Sequence, residues 1–373
     1  MKLYFVAGEA SGDNHGAALM RSLREKNPGL ELLGRGGPQM QQIAGGSFTN
    51  WIDEAGVVGL WEVMKHYPYF RREFRRTVWE IATTKPDAVV LIDYPGFNLR
   101  LARQLHERSL GGKIIYYISP QVWAWNRGRI PKMAKWIDLM LCIFPFEADL
   151  YTQSGLRTVF VGHPMLENLA AKQIDAPREP NLIGFFPGSR AREIRKLLPI
   201  MIGVMRELRR QRPDLRFEIA AASEALAKTI HLRLNNERDS LGKVAVVVGQ
   251  AAQTMQRSAA GVVASGTATL ETAFFGLPFA LVYKVAPLTY LAGKWAIKVE
   301  HLGMPNILAQ REIVPEFIQG AARPGVIARE ILRLLDDSAR RRQMLADFDE
   351  VIAQLGTGAV KQTAANAIFE TLA

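Results

Sequence analysis

The feature that most constrains this chain is a repeated alternation. Short apolar runs rich in Val, Ile, Leu, Phe and Tyr are each followed by a longer, more polar segment with helical periodicity. The first half carries "KLYFVAG", "AVVLIDY", "KIIYYIS", "LMLCIFP" and "TVFVGH". The second half restarts with "NLIGFFPG", "RFEIAAA", "VAVVVG", "GVVASG" and "FALVYK". The runs are continuously apolar, so each strand is expected to be buried on both faces. Strands alternating with helices throughout specify α/β architecture. A length of 373 residues suits two such domains better than one core. The polar stretch "MLENLAAKQIDAPREPN", with Pro177 and Pro180, reads as the linker between them. The expectation is two doubly wound domains, 1–170 and 171–344, facing each other across a cleft. Ligands of such sheets bind beyond the carboxyl ends of strands, where strand order reverses.

Charge and cysteine count narrow the chemistry. Lys and Arg total 47 against 36 acids, a formal charge of +11, which favours contact with phosphates on nucleotides, nucleic acid or lipid. The basic residues are spread along the chain and no nucleic-acid motif is present, so a nucleic-acid partner is not expected. Cys142 is the single cysteine, excluding an internal disulfide and a cysteine-based zinc cluster and fitting a reducing, cytoplasmic setting. The apolar stretch before Glu9 is too short for a signal peptide. The longest uncharged apolar run, Ala273–Tyr283, is broken by Gly276 and Pro278 and too short to span a bilayer.

Four strand-end motifs carry candidate chemistry. "GEASGDNHG" has glycines at 8, 12 and 16, so it is not the dinucleotide fingerprint. Ser11 and Gly12 before a helix offer backbone N–H groups to a phosphate or a sugar hydroxyl, or Ser11 or Asp13 simply caps the helix. In "LIDYPGFN", Asp93 ends an apolar strand and meets a Pro-Gly turn; a carboxylate there can take a proton from a hydroxyl nucleophile. In "FFPGSRAREIRK", Ser189 and Arg190 open a helix, and Arg190 can grip a phosphate with two hydrogen bonds. In "ASGTATLETAFFGLP", Ser265, Gly266 and Thr267 form a second cradle for a diphosphate. Glu271, one turn on, can accept both hydroxyls of a ribose. His15 and His163 also sit at strand-end turns, with His163 the lesser candidate for substrate contact. No paired metal-ligand spacing appears, so no metal is expected.

Together, "AGEASGD", "LIDYPGFN", "ISPQVWAW", "FPGSRAREI" and "SGTATLE" closely resemble the lipid-A-disaccharide synthase family, in that family's order and across nearly the whole chain. The resemblance implies the GT-B architecture of two Rossmann-like domains, with a last helix, about 345–373, packing back on the first. It implies inverting transfer of a sugar from UDP-2,3-diacylglucosamine to 2,3-diacylglucosamine 1-phosphate (lipid X), giving the lipid A disaccharide 1-phosphate and UDP without metal or other cofactor. Asp93 would be the base, with Glu9 and Asp13 on the neighbouring loop as alternatives. Ser11, Gly12, Asp13 and Asn98 would face the reacting sugars. Ser189, Arg190, Ser265, Gly266, Thr267 and Glu271 would hold the donor, joined by Asn306 and Gln310 of "GMPNILAQ". Many members have Asp-Phe-Asn where this chain has Gly96, Phe97 and Asn98, which leaves Asp93 as the remaining carboxylate there. The nearest rival on this fold is a UDP-N-acetylglucosamine 2-epimerase.

Acylated substrates also imply a membrane partner. "KHYPYFRREFRR", Lys65–Arg76, places five basic residues among four aromatics, preceded by the apolar "VVGLWEVM"; "VAPLTYLAGKWAIKV" mixes Leu288, Tyr290, Leu291 and Trp295 with Lys294 and Lys298. Such segments suit the anionic headgroup region of the inner leaflet, or are amphipathic core helices with solvated lysines. The expected location is cytoplasmic, peripheral to the inner membrane. The family's tendency to dimerise makes a homodimer through the Arg-rich tail compatible with the sequence.

Overall fold

The structure is a computed structural model that describes residues 1–52, 67–235, 237, 241–286, 290, 299–356 and 358–373. It contains two compact units: residues 1–164 with 355–373, and residues 165–354.

The first unit is built on strands β1 (Lys2–Ala7), β2 (Glu31–Gly36), β3 (Phe48–Asn50), β4 (Ala88–Ile92), β5 (Lys113–Tyr117), β6 (Leu139–Cys142) and β7 (Thr158–Phe160). They pair in parallel in the order β3-β2-β1-β4-β5-β6-β7. The second unit repeats the plan with β8 (Glu179–Phe186), β9 (Arg216–Ala221), β10 (Val244–Val248), β11 (Ser258–Ala264), β12 (Phe279–Tyr283) and β13 (Glu316–Ile318). Their order is β10-β9-β8-β11-β12-β13, again parallel. Each sheet therefore reverses direction once, between β1 and β4 and between β8 and β11.

Continuous apolarity translates into burial on both faces in the central strands, whereas β7 and the edge strand β10 are only half-buried. Leu3, Phe5, Ala7, Val90 and Ile92 pack with Leu19 and Leu23 of the helix Ala10–Lys26 on one side. Tyr4, Val6, Val89 and Leu91 pack with Ile81, Leu101 and Leu105 on the other. Three strands have no counterpart among the apolar runs. β2 was hidden by Arg35, and β3 and β13 have three residues each. Arg35 is 1% exposed and survives in the sheet because it is paired. Its guanidinium bonds Glu73, lies 3.9 Å from Glu80 and reaches Thr77 Oγ1 at 3.3 Å. It also lies 5.5 Å from the Trp51 ring centre.

The domain limits expected from the sequence need correction. The division falls after Pro164, because the helix Met165–Ala170 packs on the helix Ala268–Phe274 of the second unit. The stretch read as a linker leads straight into β8. Arg178 stitches it to the sheet by donating to the carbonyls of Met255 (2.8 Å), Ser258 (2.7 Å) and Phe275. Residues 345–354 also stay with the second unit, where Ser338–Ala353 packs on Ala268–Phe274 and Met304–Ala309. Only the segment from Leu355 joins the first unit, through Val360, Ala364, Ala365 and Ile368 of the helix Val360–Leu372.

Removing one member of a buried charge cluster strands the others. Arg35→Ala is expected to lower the unfolding free energy by about 3–5 kcal/mol, read from the denaturant midpoint. Arg35→Met combined with Glu73→Leu should recover most of that loss.

Candidate active site

In the first unit, the register Ala7↔Ile92 delivers the loops after β1 and β4 side by side at the reversal point. The β1 loop runs directly into the helix Ala10–Lys26, with Glu9 extended at its N-cap. The spaced glycines prove to serve packing as much as binding. A Cβ at Gly8 would stand 2.2 Å from Cδ1 of Tyr94, so the Tyr94 ring lies flat against the backbone there. A Cβ at Gly16 would meet Met40 Sδ at 2.5 Å and Ile92 Cδ1 at 2.8 Å. Gly12 is buried and turned toward Ala7 and Ile92 at ordinary contact distance, while Ser11 is exposed.

Two expectations for this loop are corrected. Asp13 is 2% exposed, and its carboxylate accepts from the amides of Gly37 (3.0 Å), Gln39 (3.0 Å) and Met40 (2.9 Å). It holds the start of the helix Pro38–Ala44 and is unavailable as an alternative base or a sugar contact. Asn98 is fully buried; its amide donates to the carbonyls of Asp93 at 2.8 Å and Ile92 at 3.1 Å. It braces the loop from behind and does not face a sugar.

Asp93 itself occupies a strained position. Its φ is 45° and that of Tyr94 is 48°, two successive left-handed residues without glycine, each costing on the order of 1–3 kcal/mol. Burial raises the Asp93 carboxyl above its ordinary value, and the charge of Glu9 raises it further, against a lowering hydrogen bond from the Tyr94 amide. Glu9 is thus electrostatically coupled to Asp93. Burial and then Glu9 also raise the Tyr94 phenol. Trp51, Tyr94 and Phe97 form an aromatic wall beside it, with ring centres 5.1–6.3 Å apart, and Trp51 Nε1 donates to the Ala7 carbonyl at 2.7 Å. Tyr94 was not singled out in the sequence, although its place directly after a strand-end acid was the available signal.

The "ISPQVWAW" motif follows β5 directly. Trp123 Nε1 donates to Glu147 Oε1 at 2.8 Å, and the Phe144 amide donates to Oε2 at 3.2 Å. Glu147 is fully buried, and burial pushes its carboxyl up to about 7 despite those hydrogen bonds. Burial and then the charge of His15 hold the His163 imidazole down at about 4, and burial lowers His15 as well.

In the second unit, Phe186 and Val263 are register partners, so the turns after β8 and β11 also emerge together. Gly188, at φ 96°, leaves room for Glu193, which a Cβ would meet at 2.4 Å. Ser189 and Arg190 are exposed. Arg190 is the N-cap residue of the helix Ala191–Gln211, and its Nη1 lies 3.2 Å from Glu193 Oε1. Across from it, Gly266 at φ 145° separates Ser265 from exposed Thr267. Burial raises the Glu271 carboxyl, and Lys172 offsets part of that rise. Asn306 is a third correction. It is fully buried, and its side chain is consumed by Ile313 N and Val314 N (2.8 Å each), Val314 O (2.7 Å) and Glu316 Oε1 (2.8 Å). It shapes the loop from inside the fold, whereas exposed Gln310, left-handed at φ 53°, is free of that framework.

Two parallel sheets, ordered 3-2-1-4-5-6-7 and 3-2-1-4-5-6, each presenting paired loops at its reversal point, define the GT-B class of fold. Solved structures agree on the fold: Staphylococcus aureus MnaA with UDP has a TM-score of 0.64 at 12% identity, covering 100% of this chain and 97% of that one. Acinetobacter baumannii MurG has 0.55 at 12%, covering 99% of each. The sequence profile of the lipid-A-disaccharide synthetase family matches residues 3–369. The lipid-A-disaccharide synthase of Geobacter sulfurreducens is 40% identical over 381 residues, covering 100% of this chain and 97% of the relative. That of Persephonella marina is 37% identical, covering 97% of each. The chain belongs to the lipid-A-disaccharide synthase family, glycosyltransferases of lipid A synthesis.

The glycines separate by substitution. Gly8→Ala should cost about 1–3 kcal/mol by driving the Tyr94 ring from its seat. Gly12→Ala should fall within about 0.5 kcal/mol of wild type or stabilise it, since alanine is the better helix former. Thermal unfolding of the two variants compares them directly.

Proposed function

We propose that this chain transfers the 2,3-diacylglucosamine unit of UDP-2,3-diacylglucosamine, with inversion, to the 6-hydroxyl of 2,3-diacylglucosamine 1-phosphate. The observation that carries the mechanism is Asp93: a partly buried carboxylate with a raised pKa, set at a strand end on a strained backbone. Asp93 accepts the proton of the attacking hydroxyl as that oxygen bonds to the anomeric carbon and UDP departs. Donor recognition falls to the second unit. Arg190 and the turn Ser265–Thr267 meet the diphosphate, with Ser189 beside them, and compensate the charge that develops on it. Glu271 accepts from the ribose hydroxyls and Gln310 completes the pocket. A solved UDP-N-acetylglucosamine 2-epimerase from Neisseria meningitidis, bound to UDP-N-acetylglucosamine, has the same fold (TM-score 0.62, 10% identity). No metal is assigned a part, because Arg190 and oriented amides supply the positive field.

Peripheral membrane binding belongs to the same proposal. Among the described residues no helix is long and apolar enough to cross a membrane. The helix Tyr67–Thr84 sorts its arginines. Arg72 and Arg76 bond Glu73 and Glu80. Arg71 and Arg75 line a groove of about 540 Å³ with Arg108, Phe74, Val78 and Trp79. Trp79 is 66% exposed. This face, rather than the Arg72 side, suits anionic headgroups. The apolar residues 57–64, and Leu288, Leu291, Lys294, Trp295 and Lys298, lie outside the described residues.

Two measurements test these readings. Asp93→Ala should lower kcat by about 10²–10⁴-fold in a micelle assay that follows disaccharide by mass spectrometry, with UDP binding retained and rates unaffected by a chelator. A base must be deprotonated, so the wild-type acid limb should lie above the ordinary carboxylate range, and Glu9→Gln should move it to lower pH; activity in Asp93→Ala would place the base elsewhere. Reversing Arg71 and Arg75 to Glu should release the protein from anionic vesicles more than reversing Arg72 and Arg76. Equal partitioning would remove this face from the reading.

A further inference from the structure

The backbone around Asp93 is held from three sides. Its amide donates to the Tyr117 carbonyl at 2.9 Å. Its carbonyl accepts from Asn98 Nδ2 at 2.8 Å and from Tyr116 Oη at 2.6 Å. Tyr116 is wholly buried in β5, where a phenol must find an acceptor. The sheet carbonyls around it serve the parallel ladder, which pairs Tyr116 with Leu91 and Tyr117 with Ile92. The Asp93 carbonyl lies one residue beyond the end of β4, where the chain has left that ladder.

Once the peptide planes on both sides of a residue are fixed, so is the direction of its Cα–Cβ bond. Here the fixed residue is left-handed, as is the next one, a pair that persists only where its surroundings over-determine it. We propose that Tyr116 is a positioning residue for the reaction: its hydroxyl, together with Asn98, pins the strained Asp93 peptide and thereby aims the carboxylate at the acceptor hydroxyl. Tyr116 touches neither substrate; it acts through Asp93. The inference rests on Asp93 being the base.

The test compares Tyr116→Phe, Asn98→Ser and Asp93→Asn with wild type in the disaccharide assay. Misaiming a base by a fraction of an ångström lowers turnover without weakening binding, so Tyr116→Phe should reduce kcat by roughly 10–100-fold with both KM values nearly unchanged. Its acid limb should also fall toward the ordinary carboxylate range as the side chain relaxes toward water. A merely structural phenol would move neither. Unchanged kcat and pH profile in Tyr116→Phe, with Asp93→Asn inactive, would overturn the proposal and leave the base in place. Activity in Asp93→Asn would overturn both. If Tyr116→Phe fails to fold, Asn98→Ser removes the other donor to the same carbonyl. The same kcat-only loss supports the proposal, and wild-type kcat there refutes it.

Discussion

The structure depends on the parallel pairing of β1 with β4, and its counterpart of β8 with β11. In each sheet the remaining neighbours are consecutive strands. At these two seams the order reverses, and in sheets of this kind the chains leaving the paired strands diverge to opposite faces. The carboxyl ends there are left without a covering crossover, and backbone amides and side chains from two loops converge on one spot. The same geometry occurs in both units, with a carboxylate at the seam of one and a guanidinium at the seam of the other.

The first seam is built more tightly than its glycine-rich sequence suggests. Gly8 exists to admit a tyrosine ring, and that ring belongs to the residue after Asp93. The strain at Asp93–Tyr94 is offset by hydrogen bonds from β5 and the helix that follows, and by aromatic packing from that helix and from Trp51. The carboxylate consequently sits on a support drawn from three separate stretches of chain, which is how a side chain on a loop can be held as firmly as one on a helix.

Much of this was legible in the sequence, and what was not had a physical reason. Uninterrupted apolar runs marked most of the strands because parallel strands are covered on both faces. Arg35 concealed β2, since a charge in a buried strand is intelligible only with its partners, and Glu73 and Glu80 lie on a distant helix. Strand-end position marked Asp93, Arg190 and Ser265, which follow the strands paired at the seams. It could not separate them from Asp13, Asn98 and Asn306, which have the same residue types in the same motifs. Those three turn inward: Asp13 accepts from backbone amides, Asn98 donates to backbone carbonyls, and Asn306 bonds backbone groups and the Glu316 carboxylate. A short polar side chain near a site can serve the ligand or the loop, and only burial distinguishes the two. Tyr116 was invisible for the opposite reason: it looks like one more aromatic in an apolar strand.

The closing helix gives the fold an order in time. Val360, Ala364 and Ile368 complete a core otherwise assembled from residues before 165. During synthesis the first unit must therefore wait, with Leu139, Leu141 and the adjacent face of the helix Ala10–Lys26 uncovered, until the whole second unit has been made. A chain emerging at about 5–20 residues per second leaves that apolar face open for on the order of ten seconds or more. The half of the molecule that is translated first is thus the half that finishes folding last.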